Sequence, residues 1–250
     1  MSNDKTIDPR EVEYYTRMAE TWWDREGPFW PLHTLNELRL TYILDHLCEH
    51  FGLDSAAERP LHGLQVLDVG CGGGILAESM ANLGADVTGI DVVEKNINIA
   101  RLHAQGHALS IDYRLTTAAE LAGTGAQYNV VLNMEVVEHV ADLDAFMHDC
   151  NRLTAEGGVM FVATINRTLL AWLFAIVGAE YILGWLPRGT HRWALFRKPR
   201  EIRALLADGG LVVDDITGVA VNPFARTMRL NWLKQVNYMM FCTRGSFSKR

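Results

Sequence analysis

The chain has 250 residues, 49% of them apolar and 21% charged, which suits one substantial globular α/β core rather than two. A formal net charge of −7 supplies no basic field to recruit nucleic acid, so no nucleic-acid partner is expected. Cys48, Cys71, Cys150 and Cys242 are scattered without a C-x-x-C pair, which points to free thiols rather than a disulfide framework. The opening "MSNDKTIDPREVEYY" has no apolar h-region, so it does not read as a signal peptide, and the cytoplasm is the expected location.

In chain order, residues 10–26 and 35–51 carry apolar side chains at three- and four-residue spacing and predict two helices. The polar stretch "GLDSAAERPLHG" then reads as a linker. From Leu64 onward strands alternate with helices. Strands are expected at Gln65–Val69, Asp86–Ile90, Ser110–Leu115, Asn129–Met134 and Val159–Ile165, with helices at 74–83, 94–106 and 140–153. Gly157 and Gly158 supply a turn before the fifth strand. Such alternation predicts a mostly parallel sheet with helices on both faces. After a helix opened by Pro199, "LVVDDITGVAV" and "VNYMMFCT" read as two strands with no helix between them, hence an antiparallel pair at one edge.

The chemistry starts at "VLDVGCGGG", a glycine turn at the carboxyl end of the first strand, where open α/β sheets bind ligands. Glycines there admit a cofactor close to the backbone. The dinucleotide fingerprint G-x-G-x-x-G fails, because counting from Gly70 and Gly72 puts Ile75 at the third site. Asp91 ends the next strand, nineteen positions after Gly72, where a carboxylate can hold both hydroxyls of a ribose. That holds for NAD and S-adenosylmethionine alike. Asp68 within the strand end, with three glycines packed in one turn, matches the pattern of class I methyltransferases and favours S-adenosylmethionine. Asn133 and Met134, ending the fourth strand, would face the adenine and the sulfonium, unless Met134 is simply core.

Over nearly its whole length the chain resembles the ubiquinone biosynthesis O-methyltransferase family. The likeness is carried by "WWDREGPFWPLHTLNELRLTYI", "VLDVGCGGGILAESMANLGADVTGID", "MEVVEHV", "VGAEYILGWLPRGTH" and the late "VNYM". It implies a Rossmann-like, seven-stranded class I fold with an N-terminal helical cap over 1–60 and a methyltransferase domain over 61–250. It also implies cofactor contacts at Arg39, Gly70, Asp91 and Met134, beside Asp68 and Gly72 of the motif. At Arg39 a planar guanidinium would grip the methionine carboxylate in a way lysine does not.

Glu135, Glu138 and His139 form E-x-x-E-H, and a helical turn would set all three on one side. Two carboxylates and an imidazole suit a divalent ion, and the resemblance implies Mg²⁺ dependence through them. The histidine leaves Mn²⁺, Zn²⁺ or Fe²⁺ open. A metal-free reading, in which the cluster caps or packs a helix, also stands; His139 or Glu135 would then be the general base. The implied acceptor is a phenol or catechol hydroxyl on a polyprenylated ring. A phenol with pKa about 10 is a poor nucleophile at neutral pH, so the site must supply an oxyanion. His33, in "PLHTLN", either touches substrate or packs the cap.

The last feature is an apolar and basic insertion over 167–198. Thr168 to Leu186 carries one charge, Glu180, in nineteen residues; Arg188, Arg192, Arg197, Lys198 and Arg200 follow, with Trp172, Trp185 and Trp193 around them. This pattern predicts a lid that touches an anionic membrane surface, against the simpler alternative of a buried helix covering the sheet. The whole describes a methyltransferase peripheral at the inner face of the membrane, with a quinone-synthesis complex as a further partner. The alternatives are a methyltransferase with another small-molecule acceptor and a non-catalytic scaffold.

Overall fold

The computed structural model describes residues 6–27, 29–168, 171, 195–222 and 227–245. Eight strands form one sheet in the order β3-β2-β1-β4-β5-β8-β6-β7. They are β1 (Gln65–Val69), β2 (Asp86–Asp91), β3 (Asp112–Leu115), β4 (Tyr128–Met134), β5 (Thr154–Ile165), β6 (Leu211–Asn222), β7 (Thr227–Asn231) and β8 (Asn237–Arg244). β1 to β5 are parallel to one another. β8 runs antiparallel to both β5 and β6, and β7 antiparallel to β6.

The helices are α1 (Pro9–Met18), α2 (Trp30–Phe51), α3 (Ile75–Asn82), α4 (Glu94–Gly106), α5 (Ala118–Gly123), α6 (Leu143–Leu153) and α7 (Pro199–Asp208). The period-two alternation of the strands sorts the core into two layers. Val66, Val130, Leu132 and Phe161 face α2, α3 and α4, packing with Ile43, Leu47, Met80 and Ile97. Leu67, Val131 and Met160 face the opposite way, toward Leu121, Phe146, Met147 and Leu206 of α5, α6 and α7. With both faces covered, β1, β4 and β5 are fully or nearly fully buried along the lengths that carry the site.

The expected architecture is present, with departures that include the short helix α5, which was not expected. The first helix stops at Met18, and one 3-10 turn (Ala19–Thr21) leads into an aromatic-rich link. The helix expected at 35–51 starts earlier, at Trp30, because Pro31 sits in its first turn. α6 begins at Leu143 rather than 140, since the Asp142 carboxylate accepts from the Ala145 N–H and caps it there. β5 begins at Thr154, so Gly157, with φ +71°, makes an irregularity inside the strand rather than a turn before it. Finally β7 was not expected. Met228 and Leu230 alternate with polar neighbours and pack on the first core layer, adding an eighth strand to the expected seven.

α2 is continuous with the core rather than an appendage: Ile43 and Leu47 are fully buried in it, and the Tyr42 hydroxyl donates to Asp215 of β6 at 2.7 Å. All four cysteines are free thiols. Most of the insertion expected over 167–198 lies outside the described residues, including Trp172, Trp185, Trp193, Arg188 and Arg192. Among the described residues no helix is long and apolar enough to cross a membrane.

Candidate active site

The site forms at the carboxyl ends of β1, β2 and β4, where the parallel strands leave their backbones open. Gly70 has φ +67° and Gly72 φ +54°, which favour glycine. A Cβ on Gly70 would come within 2.7 Å of Val136, so the glycine loop lies against the turn that follows β4. A Cβ on Gly72 would come within 2.5 Å of the Trp22 ring. The N-terminal link therefore lies directly on the loop.

Asp91, ending β2, is buried and accepts three hydrogen bonds. Its carboxylate accepts from the N–H of Gly72 at 2.9 Å, the N–H of Val93 at 2.7 Å and the Asn96 amide at 3.4 Å. Burial pushes its pKa up, and these donors pull it back. Thus Asp91 shapes the glycine loop itself, beyond the ribose role expected of it. Asp68 is buried one residue before the end of β1, and burial raises its pKa to about 7, against the opposing pull of Arg39.

Arg39 projects from α2 and is 5% exposed. One terminal nitrogen reaches Glu135 at 3.2 Å, while its buried Nε has no hydrogen-bond partner among the described residues. Burial lowers its pKa, and Glu135, Asp68 and Glu138 oppose that shift. A buried guanidinium with an unsatisfied N–H is suited to accept an anionic group of a ligand.

Met134 is buried at the end of β4, on the layer that faces α2 and α3. Asn133 points the other way: its amide faces the sulfurs of Met147 and Cys150 on α6, at 3.5 and 3.9 Å. The expectation that Asn133 faces the adenine is therefore corrected. Successive strand residues cannot both look into one pocket.

The E-x-x-E-H segment is a turn, not the helical turn expected from its spacing. Glu135 adopts φ +61°, a left-handed conformation that stops any helix at that point. Glu138 is buried, and the Thr164 hydroxyl donates to it at 2.7 Å. Burial, then the neighbouring Glu135 charge, lift the Glu138 pKa to about 7. His139 Nε2 lies 3.2 Å from the Tyr15 hydroxyl. The one set of three metal-type side chains among the described residues with donor atoms all within 4.8 Å is elsewhere, at Glu78, His103 and His107. The E-x-x-E-H donors are thus of the right kind for a dication but are not gathered to that spacing.

The N-terminal link joins these parts. Trp22 stacks on Phe29 at 4.0 Å and on Tyr15 at 6.3 Å, and its indole N–H donates to Asn96. Tyr15 in turn meets His139 edge-on. An aromatic row thus runs from the glycine loop to the acid cluster. His33 is buried, with Nε2 2.9 Å from the Trp22 carbonyl, so within the described residues it packs the cap. Burial lowers its pKa. Sequence reasoning missed Tyr15 and Trp22; the tryptophan pair "WW" ahead of the fold was the available signal.

Comparison with known proteins places this geometry. Residues 41–216 match a family model described as a methyltransferase domain. The ubiquinone biosynthesis O-methyltransferase of Sinorhizobium fredii (strain NBRC 101917 / NGR234) is 52% identical over 239 residues, 96% of either chain. The chain belongs to this family. The protein of the same name from Brucella anthropi is 51% identical over 239 residues, again 96% of either chain. Among solved structures, magnesium protoporphyrin IX methyltransferase from Synechocystis with bound SAH superposes with a TM-score of 0.64 at 20% identity. That match covers 95% of this chain and 100% of the other, and establishes the shared fold. Family membership makes the chain an S-adenosylmethionine-dependent O-methyltransferase.

Proposed function

We propose that this enzyme moves the methyl group of S-adenosylmethionine to a phenolic hydroxyl of a polyprenylated ubiquinone precursor. The observation that carries the reading is identity of about half the residues over 96% of both lengths with proteins of that name. The geometry supports it, since the glycine loop and the acid cluster touch through Gly70 and Val136.

In this reading Gly70, Gly72 and Asp68 line the cofactor, Arg39 holds its carboxylate, Asp91 fixes the loop and the ribose, and Met134 lies against the adenine. The phenolate oxygen attacks the methyl carbon in line with the departing sulfur. The O–C bond forms, the C–S bond breaks, and the electron pair stays on sulfur as S-adenosylhomocysteine. Holding the two reactants in line supplies much of the rate. Glu138, with a pKa of about 7, is poised to take the hydroxyl proton, with His139 and Glu135 beside it.

Glu135, Glu138 and His139 would hold Mg²⁺ or a similar dication only if their donors drew closer together than they stand here, although the adjacent charges of Glu138 and Glu135 favour a cation. Such an ion would lower the hydroxyl pKa and orient the ring oxygens.

The greasy substrate tail calls for a membrane-side docking face, with the enzyme peripheral at the cytoplasmic surface and open to a quinone-synthesis complex. The apolar and basic run 168–200 and the exposed Trp232 (80%) and Leu233 (44%) favour such contact. Co-sedimentation checks it: pelleting should require anionic vesicles and fall with salt. Equal pelleting with neutral vesicles, unchanged by salt, would remove the electrostatic part. For the reaction itself, the test is methyl transfer to a short-tailed catechol, with Mg²⁺ and after EDTA.

A further inference from the structure

We propose that Glu78, His103 and His107 form a second metal site, on the far side of the glycine loop from the acid cluster, for a borderline dication such as Zn²⁺. His103 and His107 are four residues apart on α4 and so share one helix face. Glu78, on α3, approaches that face. One donor atom from each of the three lies within 4.8 Å of the other two.

The details favour ligation over a plain ion pair. Glu78 is 5% exposed, and His103 is the one side chain among the described residues that bonds it, with Nδ1 2.8 and 2.9 Å from its two oxygens. A buried carboxylate needs a cationic or hydrogen-bonded partner, and a metal ion supplies one. His107 Nδ1 lies 2.9 Å from the carbonyl of His103. A carbonyl only accepts, so Nδ1 carries the proton and the lone pair of Nε2 is left for a ligand. This is the way metal-binding histidines are usually oriented. His103 is fixed by Trp23, whose ring stacks on it at 3.4 Å and 3°. His107 stacks on His103 at 4.3 Å, and because it is exposed it can turn to bring Nε2 in line.

Two imidazoles and one carboxylate, with a position left for water, suit Zn²⁺, Co²⁺ or Ni²⁺ better than Mg²⁺ or Ca²⁺. The ion's effect follows from its neighbours. Glu78 belongs to the helix that follows the glycine loop, and the Trp23 indole N–H donates to the Gly73 carbonyl at 2.9 Å. A metal here would clamp α3, α4 and the N-terminal link around the cofactor loop.

The test is titration of the EDTA-stripped full-length protein with Zn²⁺ by calorimetry, followed by Co²⁺ absorption. The account predicts a zinc site that weakens at least about tenfold in His107→Gln, on an exposed position that leaves the fold intact. The same site persists in the double variant Glu138→Gln, His139→Gln, which separates it from any ion at the acid cluster. Methyl transfer by metal-free His107→Gln should equal that of the metal-free wild type. Identical zinc stoichiometry and affinity in wild type and His107→Gln would overturn the proposal, as would zinc binding lost only in the acid-cluster variant.

Discussion

Arg39 of α2 and Glu135, just past β4, form an ion pair at 3.2 Å that ties the expected cofactor clamp to the acid cluster. Glu135 holds this contact from a left-handed backbone conformation, φ +61°, which a non-glycine residue adopts at a cost of about 1–2 kcal/mol. The surrounding structure sustains that strain at the point where the glycine loop and the acid cluster meet, the proposed cofactor and acceptor halves of the site.

Replacing Arg39 by Lys should keep the fold and weaken S-adenosylmethionine binding about tenfold or more. The ammonium lacks the planar fork and the Nε–H that has no partner among the described residues. Calorimetric titration with S-adenosylmethionine checks this, and unchanged affinity would remove Arg39 from the cofactor site.

Gly72→Ala places a methyl group about 2.5 Å from Trp22 at φ +54°. Either the Trp22 ring is expelled or the loop moves, at a cost of about 1–3 kcal/mol. Urea unfolding should show that loss. Intrinsic tryptophan emission should shift red as Trp22 leaves its nearly buried seat, and an unshifted spectrum with full stability would contradict the packing described.

The folded-state pKa of Glu138 is raised, to about 7. Between the ordinary carboxylate range and pH 7 the folded chain therefore binds more protons than the unfolded one. Its contribution to stability is full at low pH and is lost as pH rises through about 7. Glu138→Gln, which cannot ionise, should flatten the decline in stability from about pH 5 to pH 8. Unfolding midpoints measured across that range decide it: an equal decline in both proteins would show that burial does not hold the Glu138 proton.

Thr117→Ala removes an N-cap whose hydroxyl accepts from the Glu120 N–H at 3.1 Å, while Glu120 caps the Thr117 N–H in return. Urea titration should register a loss of about 1 kcal/mol with methyl transfer unchanged, because α5 lies in the layer away from the glycine loop.

That same T-x-x-E shows how legibility varied along the chain. The capping box was in plain view at Thr117 and Glu120, yet the six-residue helix it opens is too short to carry a periodic pattern. α4 falls at the residues expected because burial on one face writes itself into a long helical spacing, and β1 does so because its apolar run is bounded by the polar linker and the glycine turn. β7 was hard to read since its alternation spans only five residues. At the site, residue types were visible and directions were not. Met134 and Asn133 look alike in sequence but lie on opposite faces of β4. Glu135, Glu138 and His139 have helical spacing but sit in a turn, because one left-handed residue is set by packing around Val136 and Arg39 rather than by local propensity. Tyr15 and Trp22 reach the site only through tertiary folding of the cap, so the "WW" pair marked an aromatic segment without saying what it would meet.

The central claim is methyl transfer to a phenolic oxygen, and one assay bears on it most directly. Purified protein is incubated with methyl-labelled S-adenosylmethionine and a short-tailed prenyl catechol, with Mg²⁺ and after EDTA, and products are resolved by mass spectrometry. The account predicts a mono-O-methyl ether formed one for one with S-adenosylhomocysteine, at a rate that falls at least about a hundredfold in Glu138→Ala, His139→Ala. Label appearing on carbon, or no transfer by a protein that binds the cofactor, would contradict it.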